Sequence, residues 1–512
     1  MPSSFKEKIH SSQTVQWAIS IATGSGRLPA SIVLIGATLL MLLADWPAWW
    51  TPLPKPLVTI VDLATDSYTS GRHFLFDRYQ REAPRKVESQ PVTIVAIDEK
   101  SLAKIGQWPW PRHRLAALID AIGKYEPAAV GLDIYMPEAD QTSPGQLAIS
   151  LEKSQPDLAQ RLRTLPSNDE ILANSLRKTP SVLGAAGFDF KTYTTSEGLR
   201  TRPLNFQNGN SLPDIVREYP AVLASLPLLQ SAAAGQALLS VDSDDGTVRR
   251  VPLLSSVNGE PVPSLAIEMF RVAMDQQAIG VELNRFGVAA LNVGDLRVPT
   301  QTDGSVFIHS AHSAETLNRY VSALDVLENR VDPQALSGKL VLIGLTGMGL
   351  NDMRITTLGE HVPGIEIQAQ LIESFFDQRF VQRPWWLIFA EMGLALLSGT
   401  LMIWLIPRVQ SNQRFGVIYR IPIAGVIGSF GINALAIALG FYLFRKHGLM
   451  LDAASLFLVT SAVFGILFAL AQASAARAKE ALRQRQWDEL VQRAEQSETA
   501  LRTHLSSTGE KK

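Results

Sequence analysis

The sequence VTIVAID at residues 92–98, followed by AAVGLDI at residues 128–134, decides the fold class of this chain. Both runs are rich in β-branched and other apolar residues, which is typical of buried strands. Between them, apolar residues recur at helical spacing from Leu115 to Ile122, after a helix start at Pro111. A strand, a helix and a strand within about 45 residues form a βαβ unit. We therefore predict an α/β domain with a mostly parallel sheet flanked by helices.

Further elements of the same domain follow along the chain. We predict strands at 181–188 and 339–344 and helices at 264–278 and 363–376. The turn sequence SDDG at 243–246 lies between the apolar runs 237–241 and 248–253, which predicts a β-hairpin. Residues 190–215 show no clear period, so we predict an exposed insertion or long loop there.

Four apolar stretches predict α-helical transmembrane segments, one N-terminal and three C-terminal. They lie at residues 28–45, 385–406, 421–444 and 449–471. Each is long enough to cross a hydrocarbon core of about 30 Å as a helix. Residues 46–384, between the first and second stretches, have the composition of a soluble domain.

The charges beside these stretches predict their orientation. Basic residues precede the first stretch (Lys6, Lys8, Arg27), separate the second from the third (Arg408, Arg414, Arg420) and follow the fourth (Arg477, Lys479, Arg483). Because such residues favour the cytoplasmic side, we predict a cytoplasmic N-terminus at 1–27, an extracytoplasmic domain at 46–384 and a cytoplasmic helical tail at 472–512. The alternative for the first stretch is a cleaved signal peptide, but its length and the following Asp45-Trp46-Pro47 favour an anchor.

The composition excludes several classes of function. The chain has no cysteine, which rules out thiol catalysis and cysteine-ligated zinc, and its net charge of −1 gives no support to nucleic-acid binding. No HExxH, GxSxG, kinase or cyclase motif occurs in the sequence. We therefore expect no enzyme activity, no cofactor and no metal.

Seven sequence blocks follow one another in a characteristic order. They are IDEKSL at 97–102, GQWPWPR at 106–112, GLDI at 131–134, DSDDGTVRR at 242–250, SALDVL at 322–327, GKLVLIG at 338–344 and PGIEIQA at 363–369. Together they resemble the CHASE2 domain, an extracytoplasmic sensory module of bacterial receptors, over about residues 55–380. Two positions depart from the family: Gln368 stands where a His is usual, and Thr357 where a Pro is common. The resemblance therefore implies no titrating or ligand-binding histidine at position 368.

The C-terminal region also departs from the family. Its members usually continue from three membrane helices into a cyclase, a kinase or a diguanylate cyclase. Here a tail follows in which Trp487, Leu490, Ala494 and Leu501 lie near heptad spacing, which indicates at best a weak coiled coil. The resemblance then implies output through a separate cytoplasmic protein on residues 472–512 or through a hetero-oligomer with a complete receptor. Because sensory bundles of this type commonly pair, a homo-oligomer such as a dimer is also expected.

Carboxylates at strand ends are the first candidates for ligand binding. Asp98, with Glu99 beside it, Asp133 and Asp352 follow predicted strands or a strand-loop. In open parallel sheets, ligands bind beyond the carboxyl ends of the strands. Three such carboxylates are able to hold a divalent cation, but caps of helices or turns explain them as well. We favour caps over a metal site and leave a ligand-facing role of Asp98 and Asp133 open.

Two further motifs allow a functional and a structural interpretation. Trp108, Trp110 and Arg112 are suited to an anionic or planar ligand, or they place both indoles in the core while Pro111 starts a helix; we favour the second. The glycine-rich run 344–350 follows a strand as phosphate loops do, but it lacks their Lys-Ser/Thr ending. We predict a tight turn there.

Two carboxylates fall within or beside predicted spans. Glu391 lies inside the second span and Asp452 lies near the start of the fourth. Charged groups in a membrane are costly, so they usually face a bundle interior or mark function. We interpret both as helix-pairing groups and keep a role in transmembrane signalling as the alternative.

These observations favour a sensory receptor of the bacterial inner membrane. Its outer domain would detect an unknown small-molecule or envelope ligand and relay the change through the membrane helices to a cytoplasmic partner. A non-switching envelope scaffold that docks periplasmic proteins is the alternative, and a hydrolase using the carboxylates is a distant third.

Overall fold

The computed structural model describes residues 27–45, 54–192, 199–208, 211–350, 352–411 and 423–509. They divide into two units. The helical unit takes in the residues up to Arg72 together with 388–439 and those from Asp452 onward, and the mixed unit takes in 73–387 and 440–451.

The first part of the chain contains two long helices and the start of a parallel sheet. Its elements are α1 Arg27–Asp45, α2 Lys55–Glu82, β1 Val92–Ile97, α3 Glu99–Ile105, α4 Arg112–Gly123, β2 Ala129–Leu132, α5 Pro144–Leu151, α6 Pro156–Arg163, α7 Asn168–Lys178 and β3 Ser181–Phe188. The apolar stripe of α4 is buried from Leu115 to Ile122, and α7 starts with a capping box between Ser167 and Glu170. The predicted βαβ unit is confirmed.

The middle of the chain is mostly short strands. Its elements are β4 Leu204–Gln207, β5 Glu218–Tyr219, β6 Ala221–Leu223, α8 Pro227–Ala232, β7 Gly235–Leu238, β8 Asp242–Asp244, β9 Thr247–Pro252, β10 Leu254–Val257, β11 Glu260–Pro263, α9 Leu265–Ala273, β12 Ile279–Asn284, β13 Gly287–Val293, β14 Leu296–Pro299 and β15 Ser305–Phe307.

Two predictions for this middle part need correction. The predicted hairpin turn exists, with Asp245 and Gly246 at positive φ between β8 and β9. Residues 237–238, however, belong to β7, which pairs parallel to β3 in the main sheet. The segment 190–215 is also not all loop, because β4 pairs parallel to β12. Both partner strands are remote in sequence, and local periodicity does not reveal such pairing.

The remaining elements complete the mixed unit and enter the helical unit. They are a 3₁₀ helix at Ser313–Arg319, β16 Tyr320–Ser322, α10 Ala323–Leu327, a 3₁₀ turn at Pro333–Ala335, β17 Leu340–Leu345, β18 Met353–Thr356, β19 His361–Pro363, α11 Gly364–Phe376, α12 Leu387–Ser411, α13 Ile423–His447 and α14 Ala453–Gly509.

The main sheet is parallel along the strand order β16-β1-β17-β2-β3-β7, and β6 pairs antiparallel with the end of β3. Smaller sheets are formed by β11-β10-β5, by β14-β13-β12-β4, and by β15-β9-β18-β19 with β8. One face of the main sheet packs on α4, α7, α8 and α10, and the other packs on α9 and α11. Because β17 lies between β1 and β2, the loops after these three strands emerge side by side at one edge.

Among the described residues, three helices are long and apolar enough to cross a membrane: 27–45, 387–406 and the segment from Ala453. They coincide with the first, second and fourth predicted spans. The predicted span 421–444 falls on α13, of which residues 421–422 and the side chains before Phe430 lie outside the described residues, so it stays a prediction. The fourth predicted span and the predicted helical tail form one helix, α14.

Candidate functional site

A cavity of about 310 Å³ opens in the mixed unit at the carboxyl edge of the main sheet. The loops after β2 and β17 and the start of α11 supply its walls. The side chains that give it chemical character are Trp108, Asp133, Tyr135, Asp352, Arg354 and Gln368. We call it the carboxylate cavity. Its volume lies at the lower end of the range of small-molecule sites.

Asp133 is positioned by the end of β2. Its backbone N–H donates to the carbonyl of Ile343 on β17 at 2.9 Å, which fixes the residue at the sheet edge. Its carboxyl has no hydrogen-bond partner within the described part of the chain. Burial, and after it the nearby Asp352 carboxylate, raise the pKa of Asp133 to about 7 against the opposing effect of the Arg354 guanidinium. Asp133 therefore changes charge near neutral pH.

Asp352 precedes β18 in the sequence but lies beside the first residue of α11 in space. Its carbonyl accepts the N–H of Gly364 at 2.8 Å, and a Cβ at position 364 would lie 2.6 Å from Asp352 Oδ2. Glycine is therefore required at 364 to seat this carboxylate, which the helix N-terminus also favours. Arg354 Nη2 lies 3.5 Å from Asp352 Oδ1, which is a loose ion pair.

Gln368 brings an unsatisfied polar atom to the lining of the cavity. It lies one turn into α11 and is 2% exposed. Its Oε1 is buried and accepts no hydrogen bond from any described residue. An unpaired buried acceptor costs about 1–3 kcal/mol, so a native structure that keeps one suggests a function for it.

A second cavity, of about 590 Å³, adjoins the first and shares Tyr135 and Arg354 with it. Its wall contains two ion pairs. Arg217 Nη2 lies 2.7 Å from Asp189 Oδ1, and Arg250 Nη1 lies 3.2 Å from Asp303 Oδ2. Arg354 is thus the cation at the junction of the two cavities.

The structure brings together only some of the predicted ligand residues. Trp108, Asp133 and Asp352 line the carboxylate cavity. Asp98 caps α3 instead, since its Oδ1 accepts from the N–H of Ser101 at 2.9 Å and from the hydroxyl of Ser322 at 2.9 Å. Among the described residues, no group of three or more His, Cys, Asp or Glu side chains is placed to hold a metal ion.

The remaining predicted residues have local roles. Glu99 is exposed in the first turn of α3. Trp110 is buried, and its Nε1–H donates to the carbonyl of Gly106 at 2.8 Å. The backbone N–H of Arg112 donates to Asp140 Oδ2 at 2.7 Å. Hydrogen bonds of this kind lower the pKa of Asp140 although its burial acts in the opposite direction.

The glycine-rich run after β17 forms a turn, as predicted. The N–H groups of Thr346 and Gly347 both donate to the carbonyl of Ile97, each at 3.2 Å. A phosphate loop keeps such N–H groups for its ligand, so these two do not form one.

The two membrane carboxylates meet in the helical unit. The backbone N–H of Asp452 donates to Glu391 Oε1 at 2.7 Å, and Asp452 caps α14 by accepting from the N–H of Ser455 at 2.9 Å. Arg72 of α2 donates its Nε–H to Asp452 Oδ2 at 2.8 Å and also pairs with Asp45 at the end of α1. Four helices therefore contribute to one polar cluster, as the helix-pairing interpretation predicts.

A network of buried charges holds the face of α11 that carries Glu366 and Glu373. Arg319 pairs with Glu366 at 2.8 Å and with Glu373 at 2.7 Å. Arg85, which follows α2, pairs with Glu373 at 2.9 Å and with Asp377 at 3.0 Å. These side chains are almost completely inaccessible, so α11 is tied to its neighbours by direct charge pairing.

Sequence reasoning missed several of these residues. Arg354 and Tyr135 each stand two positions after a predicted site carboxylate, and that spacing along an extended segment was the available signal. Gln368 was visible only as a departure from the usual family residue. Nothing in the sequence pairs Arg72 with Asp452, because 380 positions separate them.

Comparison with known proteins gives one match. The family model of the CHASE2 domain matches residues 56–406. No curated protein and no solved structure matches the chain.

Proposed function

Because the chain belongs to the CHASE2 family of extracellular sensory domains, we propose that it is a receptor of the bacterial inner membrane. The mixed unit lies on the periplasmic side and binds a stimulus in the carboxylate cavity. Both termini lie in the cytoplasm, and a separate protein that docks on the tail of α14 carries the output.

The position of α11 is the observation that carries this proposal. Its first turns line the cavity with Gly364 and Gln368. After its end at Phe376, a short connection leads into α12, which is long and apolar enough to span a membrane. A ligand in the cavity therefore contacts α11, the helix that precedes the candidate membrane helix α12 in the chain.

The charge pairs of α11 support switching between discrete states. Separating a buried charge from its partner costs about 3–5 kcal/mol, so α11 resists small displacements that would break its pairs to Arg319 and Arg85. A ligand shifts such an equilibrium only if it binds one arrangement more tightly than the other. The Asp133 carboxyl and Gln368 Oε1 lack a partner within the described residues, and a ligand that pairs with them in one arrangement binds that arrangement more tightly.

The tail has a surface suited to a partner. In α14, Leu482, Trp487 and Leu490 are each more than half exposed, at 57%, 68% and 60%. Exposed apolar side chains on a charged helix are typical of a docking or pairing surface. A separate output protein, or a second copy of this chain, binds the tail through this surface.

A mutation that acts without a ligand tests the relay. Gly364→Ala places a Cβ 2.6 Å from Asp352 Oδ2, so the carboxylate or α11 has to shift, whereas a Cβ at Gly145 of α5 meets no atom within 4 Å. Because the chain has no cysteine, a single Glu489→Cys allows a spin label to be attached to the tail of either variant in lipid nanodiscs.

The two variants give opposite expectations. The electron paramagnetic resonance spectrum of the label changes with Gly364→Ala and stays as in the parent with Gly145→Ala. If Gly364→Ala shifts the melting temperature but leaves the spectrum unchanged, the mixed unit does not switch the tail. A non-switching scaffold then describes the protein better.

A further inference from the structure

The carboxylate cavity contains hydrogen-bond acceptors together with one cation at its outer end. We infer that it binds a small zwitterion of the amino-acid type. The ammonium group contacts Asp133, Asp352 and Gln368 Oε1, and the acidic group contacts Arg354. This inference rests on the proposed receptor function and names the chemical class of its stimulus.

The acceptors require a ligand with several N–H donors. Gln368 lines the cavity, and its buried Oε1 has no donor within the described residues. Asp133 brings a carboxyl to the same space without a hydrogen-bond partner there, and Asp352 brings another that is only loosely paired. An ammonium group has three donors and no acceptor, so it is able to satisfy one oxygen of each residue.

An organic ammonium group fits better than a metal ion. Calcium takes six to eight oxygen ligands, whereas no group of three or more ionisable ligand side chains is assembled within the described ranges. A guanidinium 3.5 Å from Asp352 also repels a dication. Trp108 supplies an aromatic wall, and aromatic faces attract organic cations.

Arg354 selects the acidic end of the ligand. It lines both cavities, and its side chain is 45% exposed. A guanidinium has five donors, and the loose contact to Asp352 leaves most of them directed elsewhere or to solvent. A carboxylate held there would point the side chain of the ligand toward the second cavity of about 590 Å³.

Proton linkage follows from Asp133. Its pKa of about 7 reflects burial first and then the balance between Asp352 and Arg354, and Tyr135 is the other titratable group beside it. An ammonium group binds the ionised carboxylate and so releases the proton of Asp133. Affinity therefore rises as the pH rises through about 7, and then levels off.

The test uses the full chain in nanodiscs and each of the twenty L-amino acids as probes. We expect at least one to raise the melting temperature and to bind in calorimetry with proton release at pH 6. For each amino acid that binds, the amine lacking its carboxylate and the acid lacking its amino group should bind at least tenfold more weakly.

Variants locate the binding. Asp133→Asn, Asp352→Asn and Gln368→Leu should each weaken binding at least tenfold, while Asp295→Asn, an exposed carboxylate in the turn between β13 and β14, should leave it within twofold. The inference is overturned if no amino acid binds, if the amine alone binds as tightly, or if Gln368→Leu and Asp133→Asn both bind like the parent.

Failure of this inference can be told apart from failure of the receptor function. The spin-label test with Gly364→Ala needs no ligand. If that test succeeds and no amino acid binds, the ligand class is wrong and the receptor stands. If an amino acid binds in the cavity but the label never responds, the site stands and the relay is wrong.

Discussion

Two faces of α11 differ in how their polar groups are paired. In the charge network along the helix, Arg319 and Arg85 lie 2.7–3.0 Å from their carboxylate partners Glu366, Glu373 and Asp377. On the face toward the cavity, the ion pair between Arg354 and Asp352 measures 3.5 Å, and Gln368 Oε1 accepts no hydrogen bond from the described residues.

We assign the network to maintaining the fold and Gln368 to ligand binding, because each network side chain keeps a charged partner, although Arg319 Nε and Glu373 Oε1 make no hydrogen bond with the described residues. Paired buried charges are retained because losing one partner is costly. Unpaired buried acceptors lower stability unless a bound molecule satisfies them. The same helix therefore carries a fixed part and a responsive part, and substitutions on it and around the cavity distinguish the two roles.

The largest effect is expected in the charge network. Arg319→Met removes the buried cation that Glu366 and Glu373 share and leaves Glu366 without its ion pair, so it should lower the free energy of unfolding by about 3–5 kcal/mol. Arg330→Met is the control, because Arg330 is half exposed and its pair to Asp325 is worth about 0–1 kcal/mol. Denaturation of both variants measures the difference, and equal losses would contradict the assignment of Arg319.

The second effect is a pH dependence from Asp133. Its pKa rises from 3.8 to about 7 on folding, so the unfolded chain releases this proton at lower pH than the folded one. Asp133 therefore stabilises the folded state most at low pH. As the pH rises from about 4 to about 7, this contribution falls by an amount on the order of a few kcal/mol, and above about pH 7 it no longer changes.

Asp133→Asn removes this slope. Melting temperatures between pH 4 and pH 8 should fall less steeply in Asp133→Asn than in the parent, while Asp295→Asn should keep the parental slope. Parallel curves for all three proteins would show that Asp133 titrates normally.

The third effect has opposite signs at two positions of α11. Gln368→Leu removes an unpaired acceptor and should raise the free energy of unfolding by about 1–3 kcal/mol while abolishing ligand binding. Gln370→Leu should lower it, because Gln370 Oε1 accepts the N–H of Ala311 at 3.0 Å. Thermal melting of both variants measures the two changes in stability. A loss of stability in Gln368→Leu would mean that the Gln368 amide already has a partner in the folded protein.

The smallest effect concerns Asp98, which resembles Asp133 in sequence but caps a helix. Asp98→Ala should lower stability by about 1 kcal/mol and leave amino-acid binding unchanged, and Glu99→Ala should change neither by more than about 0.5 kcal/mol. Calorimetry measures amino-acid binding by the two variants, and thermal melting measures their stability. A loss of binding in Asp98→Ala would extend the site beyond the cavity.

The sequence predicts the main sheet well and the site only in part. β1, β2, β3 and β17 are continuous apolar runs, and burial on both faces makes such strands visible in the sequence. The smaller sheets pair strands of mixed pattern across long separations, as β4 does with β12, and so escape local analysis.

The site follows the same logic. Asp133 and Asp352 were predictable because the ends of parallel strands meet at one edge. Asp98 follows a strand in the same way, but Ser101 and Ser322 engage it. The unpaired state of Gln368 depends on what surrounds α11, and only the structure shows that.

The claim beneath this account is that the cavity faces the outside while the end of α14 lies in the cytoplasm. Single cysteines at Asp295 and Glu489, both exposed, can be treated with a membrane-impermeant maleimide on intact spheroplasts. We expect Asp295→Cys to be labelled at once and Glu489→Cys only after permeabilisation. Labelling of Glu489→Cys alone on intact spheroplasts would place the cavity in the cytoplasm and contradict the account.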